Sequence, residues 1–382
     1  MFSRRTGFDR QQNALSQALA RRRKNRPLID LTVSNPTETG LPYESAIIRD
    51  ALASDATLTY RPEPFGLLSA RRAVAQALPL APAPEQIFLT ASTSESYAIL
   101  FKLLCDPGDA VAIAAPSYPL FEHLARLEGV TLVPYALAYD GAWHIDMGSL
   151  RAAFASRPLR AIVVVTPNNP TGSFLKKDEL ALLASFGVPL VCDEVFAEYA
   201  FDEDASRATT AREGEGALTF TMGGLSKSVG LPQMKLAWTC VTGPAASVRE
   251  TTERLEIVCD AYLSASTPVQ VAVPALLAAG VVTRDAIRAR TRANYAHLRG
   301  ELDGSSMTLL RAEGGWCATL RLPKTRSEEE WLLGLLEDAD VLAQPGAFYD
   351  FAMEPVFVLS LLTPPATFAE GVARLAAYVE RG

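Results

Sequence analysis

Short apolar runs alternate with amphipathic, helix-period stretches through the middle of the chain. Strands are expected at 86–90, 110–115, 131–135, 161–166, 188–192, 218–222 and 236–241. Two of the runs, AIVVV at 161–165 and VPLVC at 188–192, are apolar without interruption. A strand that is apolar at every position is covered on both faces, as in a parallel sheet flanked by helices. Helical patterns at 95–104 and 177–185 can supply that cover. Strand–helix alternation of this kind predicts an α/β fold. No repeat of fixed period runs through it.

The pattern changes after about residue 260. Pro268 and Pro274 flank a long helical stretch that reaches Leu302. Two short strand-like pieces follow, WCATLRL at 316–322 and VFVLSLL at 356–362, then a last helix at 367–380. This reads as a smaller α+β unit. Near the N-terminus, Ala14, Leu15, Ala18 and Leu19 form the apolar stripe of a surface helix. No run is expected to span a bilayer, and the first residues lack the apolar centre of a secretory signal.

Composition narrows the function classes. The 382 residues carry 36 basic and 43 acidic side chains, a net charge of −7, and 49% are hydrophobic. Disorder and collagen are excluded, and a strongly basic nucleic-acid binder is not expected. His123, His144 and His297 are scattered, and the five cysteines include no CxxC pair, so no metal centre is expected. Cys192 and Cys240 fall in apolar runs, which suits reduced, buried thiols in a cytoplasmic protein. No membrane partner is expected either.

Three motifs stand at the carboxyl ends of expected strands, where open α/β sheets bind ligands. Thr166-Pro-Asn-Asn-Pro-Thr-Gly172 follows AIVVV and by itself is a turn signal. Asp193-Glu194-Val195-Phe196 follows VPLVC. A carboxylate at the mouth of a buried strand needs a partner, and a helix cap or structural ion pair would serve as well as a ligand. Gly223-Gly-Leu-Ser-Lys-Ser-Val-Gly230 follows TFTM. Its lysine sits among small residues at a strand end, where partial desolvation lowers the amine pKa and suits Schiff-base chemistry. GxSxG, GxxxxGKS and GxGxxG signatures are absent. A lysine, a carboxylate and an asparagine so placed are the protein's share of pyridoxal phosphate (PLP) catalysis.

The order NNPTG, DEVF, SKSVGL resembles the class I/II aminotransferases of fold type I. Tyr60 with Gly66 and Arg71, LTASTSESYAIL at 89–100, Asp106-Pro-Gly-Asp109 and Pro116-Ser-Tyr-Pro119 stand in register with the same family. The resemblance implies a mostly parallel seven-stranded sheet sandwiched by helices. It implies a large PLP-binding domain at 45–265 and a small domain made from 1–44 plus 266–382. Lys227 would be the Schiff-base lysine and the proton shuttle between substrate Cα and cofactor C4′. Asp193 would pair with the pyridinium nitrogen and Asn169 with the ring hydroxyl. Tyr118 and Val195 would cover the two ring faces. The backbone of Ala91, Ser92 and Thr93 would hold the phosphate at a helix N-terminus, with Ser226 and Lys235 beside it. Ser92-x-x-Glu95 also reads as a capping box. Tyr60 would reach the phosphate of a second subunit, which implies a homodimer, and Ser34 and Asn35 would lie in the first substrate loop.

Five positions depart from the family's pattern. Lys235 stands for an arginine, which keeps the charge and loses the bidentate fork. Phe196 stands for the tyrosine that shares the ring hydroxyl with Asn169. Gly224 replaces a Ser/Thr, and Ser34 replaces a glycine. Val358 stands where an arginine would clamp the substrate carboxylate. Arg61, supplied by a neighbouring subunit, and more remotely Arg321 are candidate replacements. The expected activity is amino-group transfer between an amino acid and a 2-oxo acid. PLP-dependent β-elimination (a carbon–sulfur lyase) and a non-catalytic PLP-fold regulator are the alternatives; Lys227, Asp193 and Asn169 together argue for chemistry.

Overall fold

The computed structural model describes residues 1–22, 27–353 and 355–381. A two-residue strand, β1 (Ile29–Asp30), comes first. The main sheet then takes in β2 (Ile87–Thr90), β3 (Ala110–Ala115), β4 (Thr131–Tyr139), β5 (Trp143–Ile145), β6 (Ile162–Val165), β7 (Leu190–Asp193), β8 (Thr219–Gly224) and β9 (Ala237–Thr242). Their spatial order is β2-β9-β8-β7-β6-β3-β4-β5. The run from β4 through β3, β6 and β7 to β8 is parallel, and β9 lies antiparallel between β8 and β2.

The expected α/β class and all seven expected strands are present, but the sheet has eight strands. The extra one, β5, pairs antiparallel with the end of β4, which runs on to Tyr139 instead of stopping at 135. Only Trp143 and Ile145 of β5 are buried, with His144 exposed between them. Three alternating positions carry too weak an apolar signal to stand out.

The continuous apolar runs have the expected cause. Val163, Val165 and Val191 face one core, with Leu100 and Phe101 of the helix Thr93–Leu104. Ile162, Val164, Leu190 and Cys192 face the other, with Leu180 and Leu183 of the helix Lys177–Ala184. Both faces are dry, so neither parity of position is polar.

After residue 300 the chain builds a second, four-stranded sheet from β10 (Thr308–Leu310), β11 (Cys317–Arg321), β13 (Gln344–Pro345) and β14 (Val356–Ser360), with β12 (Val341–Leu342) outside it. The antiparallel order is β10-β11-β14-β13, while β12 pairs in parallel with β1. Ile29 and Leu31 share a core with Trp331, Phe357, Phe368 and Leu375. Ser360 ties the same segment down: its N–H donates to Leu31 O at 2.6 Å and its hydroxyl to Val33 O. The N-terminal helix Ala14–Arg21 has Ala18 buried, with Leu15 against that core.

The helix Thr267–Glu301 corrects one expectation. It has 35 residues and is apolar enough, by length and composition, to cross a membrane. Here its first half packs inside the protein, where Val269, Ala272, Val273 and Leu276 join Ala70, Val74, Ile87 and Leu236. Pro274, expected to flank the helix, lies within it.

The NNPTG turn is closed by Asn168, whose Oδ1 accepts from the N–H and hydroxyl of Thr171 at 3.3 and 2.9 Å. Gly172 has φ +71°, and a Cβ there would meet Gly314 O at 2.5 Å and Ala312 Cβ at 2.7 Å. Its carbonyl accepts from the N–H groups of Glu313 and Gly314 at 3.0 and 3.1 Å, so the turn is docked on the segment leading to β11. Gly172→Ala is expected to cost about 2 kcal/mol or more. A urea unfolding curve with a lower midpoint and unchanged slope would show it.

Candidate active site

Strands β6, β7 and β8 are adjacent and parallel, so their carboxyl ends open on one edge of the sheet. The NNPTG turn leaves β6, β7 ends on Asp193, and Lys227 lies in the short helix Leu225–Ser228 that leaves β8. The three motifs therefore meet at one cavity of about 520 Å³. Its wall holds Lys227, Asp193, Asn169, Tyr118, Val195, Ser226 and Lys235.

Lys227 is held by its backbone: its carbonyl accepts the Tyr199 hydroxyl. Its amine has no hydrogen-bond or ion-pair partner among the described residues. Nζ instead lies 5.0 Å from the centroid of the Trp316 ring and 5.8 Å from that of Phe196. Burial pulls its pKa below the ordinary amine value, against the pull of Cys317 and Asp193.

Asp193 is only 8% exposed. Its carboxylate accepts from Val195 N–H and from the Tyr97 hydroxyl, both at 3.2 Å. No cation stands within ion-pair distance of it among the described residues. Burial pushes its pKa up to about 6, although both hydrogen bonds and the Lys227 charge pull the other way. Asn169 is on the wall with its Oδ1 facing the Cys317 thiol at 3.6 Å. Phe196, only 8% exposed, packs edge-on against Trp316 with ring centroids 5.2 Å apart.

At the helix Thr93–Leu104, Ser92 Oγ accepts from Glu95 N–H at 3.2 Å. Glu95 reaches back to Ala91 N–H at 2.6 Å and accepts the Ser264 hydroxyl at 2.7 Å. A cap is thus formed, in a variant where the carboxylate bonds the residue before the cap. That bond takes Ala91 out of the expected anion cradle, and Ala91 is not on the cavity wall. Ser92, Thr93 and Ser94 are. Ser94 is a wall residue beyond those the motifs mark. The cap at Ser92 is its sequence signal, because it makes Thr93 and Ser94 the first helical residues, whose N–H groups have no partner within the helix. Lys235 reaches the wall from a left-handed backbone conformation, φ +49°.

Other expected residues lie elsewhere. Tyr60 is 72% exposed and, with Arg61, borders a separate small crevice against Leu263, Ser264, Ala265 and Thr267. Ser34 is on the cavity wall, but Asn35 is not: its Oδ1 is taken by the N–H and hydroxyl of Thr37 at 3.1 and 2.8 Å. Arg321 stands at the end of β11 and bonds Thr308 Oγ1 at 3.5 Å. Val358 is on the wall, 1% exposed. The second sheet brings Cys317 and Gln344 to the wall, and the segments beside its strands bring Trp316 and Tyr349. No motif marked these four.

The family model described as Aminotransferase class I and II matches residues 26–375. The chain belongs to that family. An alanine aminotransferase of Mycobacterium tuberculosis is 28% identical over 259 residues, 65% of this chain and 60% of that protein. The S-alkyl-thiohydroximate lyase SUR1 of Arabidopsis thaliana is 29% identical over 269 residues, 66% of this chain and 57% of that protein. The matched regions therefore span about three fifths of those relatives' own length. A solved aminotransferase from Escherichia coli superposes with a TM-score of 0.84 at 21% identity, covering 96% of this chain and 94% of that one. The fold is that of the fold type I aminotransferases.

Aminotransferases of this family use PLP, and the wall fits that group. A buried carboxylate without a counter-ion suits a pyridinium nitrogen. A desolvated amine without a partner suits an aldehyde. A capped helix start with a lysine on the same wall suits a phosphate.

Proposed function

We propose that the chain is a PLP-dependent aminotransferase that moves an amino group between an amino compound and a 2-oxo acid. The observation that carries this reading is the pairing, in one cavity, of an unpartnered Lys227 amine with a buried Asp193 that has no cation. When bound, PLP supplies an aldehyde and an electron-withdrawing ring.

Lys227 holds the cofactor at rest. With PLP bound, its free amine would be the base that moves a proton between substrate Cα and cofactor C4′, a task one positioned base can perform in both directions. Its lowered pKa keeps part of the amine population neutral, as a base must be. Asp193 keeps the ring nitrogen protonated. Asn169 donates to the ring hydroxyl through Nδ2, because the Cys317 thiol occupies its Oδ1 side. The N–H groups around Ser92, Thr93 and Ser94 receive the phosphate together with Ser226 and Lys235, the latter as a point charge. Tyr118 and Val195 confine the ring faces, and Ser34 borders the substrate space.

Exposure of Tyr60 and Arg61 outside the cavity supports a homodimer in which they serve the second copy's site. The division into 45–265 and 1–44 plus 266–382 belongs with this proposal, the helix Thr267–Glu301 being shared between the two cores. Five free cysteines support a cytoplasmic location.

The test is a panel of amino donors added to PLP-loaded protein without an oxo acid. Aminotransfer gives one equivalent of oxo product and leaves the cofactor as its amine. Continuous ammonia release with no acceptor would replace this reading by β-elimination, the reaction type that the lyase relative keeps in view. A cofactor spectrum unmoved by every donor would remove both.

A further inference from the structure

We propose that Trp316 is a positioning residue: its ring face, with the Phe196 ring beside it, holds the Lys227 ammonium within reach of the cofactor whenever the amine is not bonded to it. This inference rests on the PLP reading and adds a resting place for the lysine of the same site.

The amine has an aromatic surround where hydrogen bonds would otherwise be. Nζ stands over the Trp316 ring, 5.0 Å from its centroid, and 5.8 Å from the centroid of Phe196. The two rings meet at 66° and form two sides of a corner. A cation within about 6 Å of a ring centroid is drawn to the negative face, most strongly to that of tryptophan. Phe196 brings a second ring and no hydroxyl. The face is what meets the amine, because the edge of an aromatic ring, indole N–H included, is positive and repels an ammonium.

The tryptophan is itself fixed. It is 4% exposed and also packs edge-on against Tyr199, with centroids 5.2 Å apart. Its carbonyl accepts from Leu361 N–H at 2.8 Å. The N–H of Gly315, just before it, donates to Tyr199 O at 3.0 Å, and the Tyr199 hydroxyl donates to Lys227 O. One tyrosine therefore ties down both the lysine's backbone and the tryptophan's segment, and ring and amine keep their places relative to each other.

The ionisable groups facing the amine are the Cys317 thiol on β11 and Asp193 at the end of β7. Burial pushes that thiol up to about 12, so it is uncharged near neutral pH. Lys235 and the phenols of Tyr118 and Tyr349 share the wall. These groups stay in place when a ring is replaced, and so does Arg61, which the proposed homodimer would bring from a second copy. Burial still holds the amine below its ordinary pKa, so the rings offset only part of the desolvation.

The test is acetic anhydride labelling of the cofactor-free protein across pH, with acetylation of the Lys227 peptide measured by mass spectrometry against an added reference amine. Only the neutral amine reacts, so the labelling midpoint reports its pKa. Trp316→Leu is expected to lower that midpoint by about one unit, which is about tenfold more labelling at a pH below it. Trp316→Phe keeps a ring face and loses the N–H, and should shift the midpoint less than half as far. A midpoint that stays or rises in the leucine variant overturns the inference, and so does a phenylalanine variant that shifts equally. If Trp316→Leu does not fold, Phe196→Leu decides, with an expected fall of about half a unit; no fall there overturns the inference. In the PLP-loaded protein, the high-pH plateau for conversion of the cofactor by saturating donor should drop about tenfold in Trp316→Leu, as a misplaced base demands. A plateau within twofold of wild type would show that the rings set the charge without setting the position, and the positioning role falls. If no donor converts the cofactor, the aminotransferase reading fails separately, and the labelling still decides whether the rings hold the amine.

Discussion

Lys227→Ala is expected to lower amino-group transfer by at least ~10⁴-fold, the upper end of what one positioned acid–base group supplies. The fold should survive. Among the described residues the Lys227 amine makes no hydrogen bond or ion pair, so its removal leaves no stranded partner, and a buried charge without a partner costs stability instead of adding it. Thermal unfolding of the cofactor-free variant should match the wild type or exceed it. Lys227→Arg should be as inactive as the alanine variant, because a guanidinium keeps the charge but is not a nucleophile at neutral pH. Borohydride treatment of the loaded wild type should fix the mass of the reduced cofactor on the peptide that contains Lys227. Neither variant should carry that mass there. A Lys227→Ala protein that turns over within tenfold of wild type would remove this residue from the chemistry.

Much of this site is legible in the sequence for a physical reason. Lys227, Asp193 and Asn169 each follow a strand buried on both faces, and such strands announce themselves as unbroken apolar runs. Once adjacent parallel strands are inferred, their carboxyl ends must coincide. The position of Val358 is legible too, because it lies inside the run VFVLSLL. What escapes is whatever depends on register or on one hydrogen bond. Gln344 faces Val358 only because β13 pairs with β14, and a two-residue strand leaves no periodic trace. Cys317 meets Asn169 across 148 positions of sequence. Ala91 leaves the cradle because the Glu95 carboxylate takes its N–H, which composition does not encode. The apolar half of the helix Thr267–Glu301 shows no unbroken apolar run, since Thr, Gln and Gly interrupt it, yet its average is apolar enough to count. Tyr60 and Arg61 gain a role only if a second copy brings them to the cavity, so neither the sequence nor a single chain's geometry places them there.

Asp193→Asn should separate stability from activity. In the cofactor-free protein the folded-state pKa of Asp193 is raised, from 3.8 to about 6, chiefly by burial. The folded protein therefore holds this proton more tightly than the unfolded chain does. Its stabilising effect is complete below pH 3.8 and is lost as pH rises through about 6. The loss amounts to about 3 kcal/mol at most, from a shift of roughly two units. Asparagine, which never ionises, escapes that loss, so the variant should gain on the wild type as pH rises from 4 to 7. The wild-type curve alone would not isolate the effect, because burial also pushes Glu198 up to about 7. Glu198 is common to both proteins and cancels in their difference. PLP reverses the comparison. A protonated ring nitrogen gives Asp193 the cation it lacks, so loading should raise the wild-type melting temperature more than the variant's, by a margin that grows over the same pH range. Turnover of Asp193→Asn should fall by ~10²–10³-fold, as when one preorganised charge contact is lost from a reacting centre. If instead the two cofactor-free proteins keep a constant stability difference from pH 4 to 7, Asp193 is not the buried, uncompensated carboxylate that the pyridinium is proposed to meet.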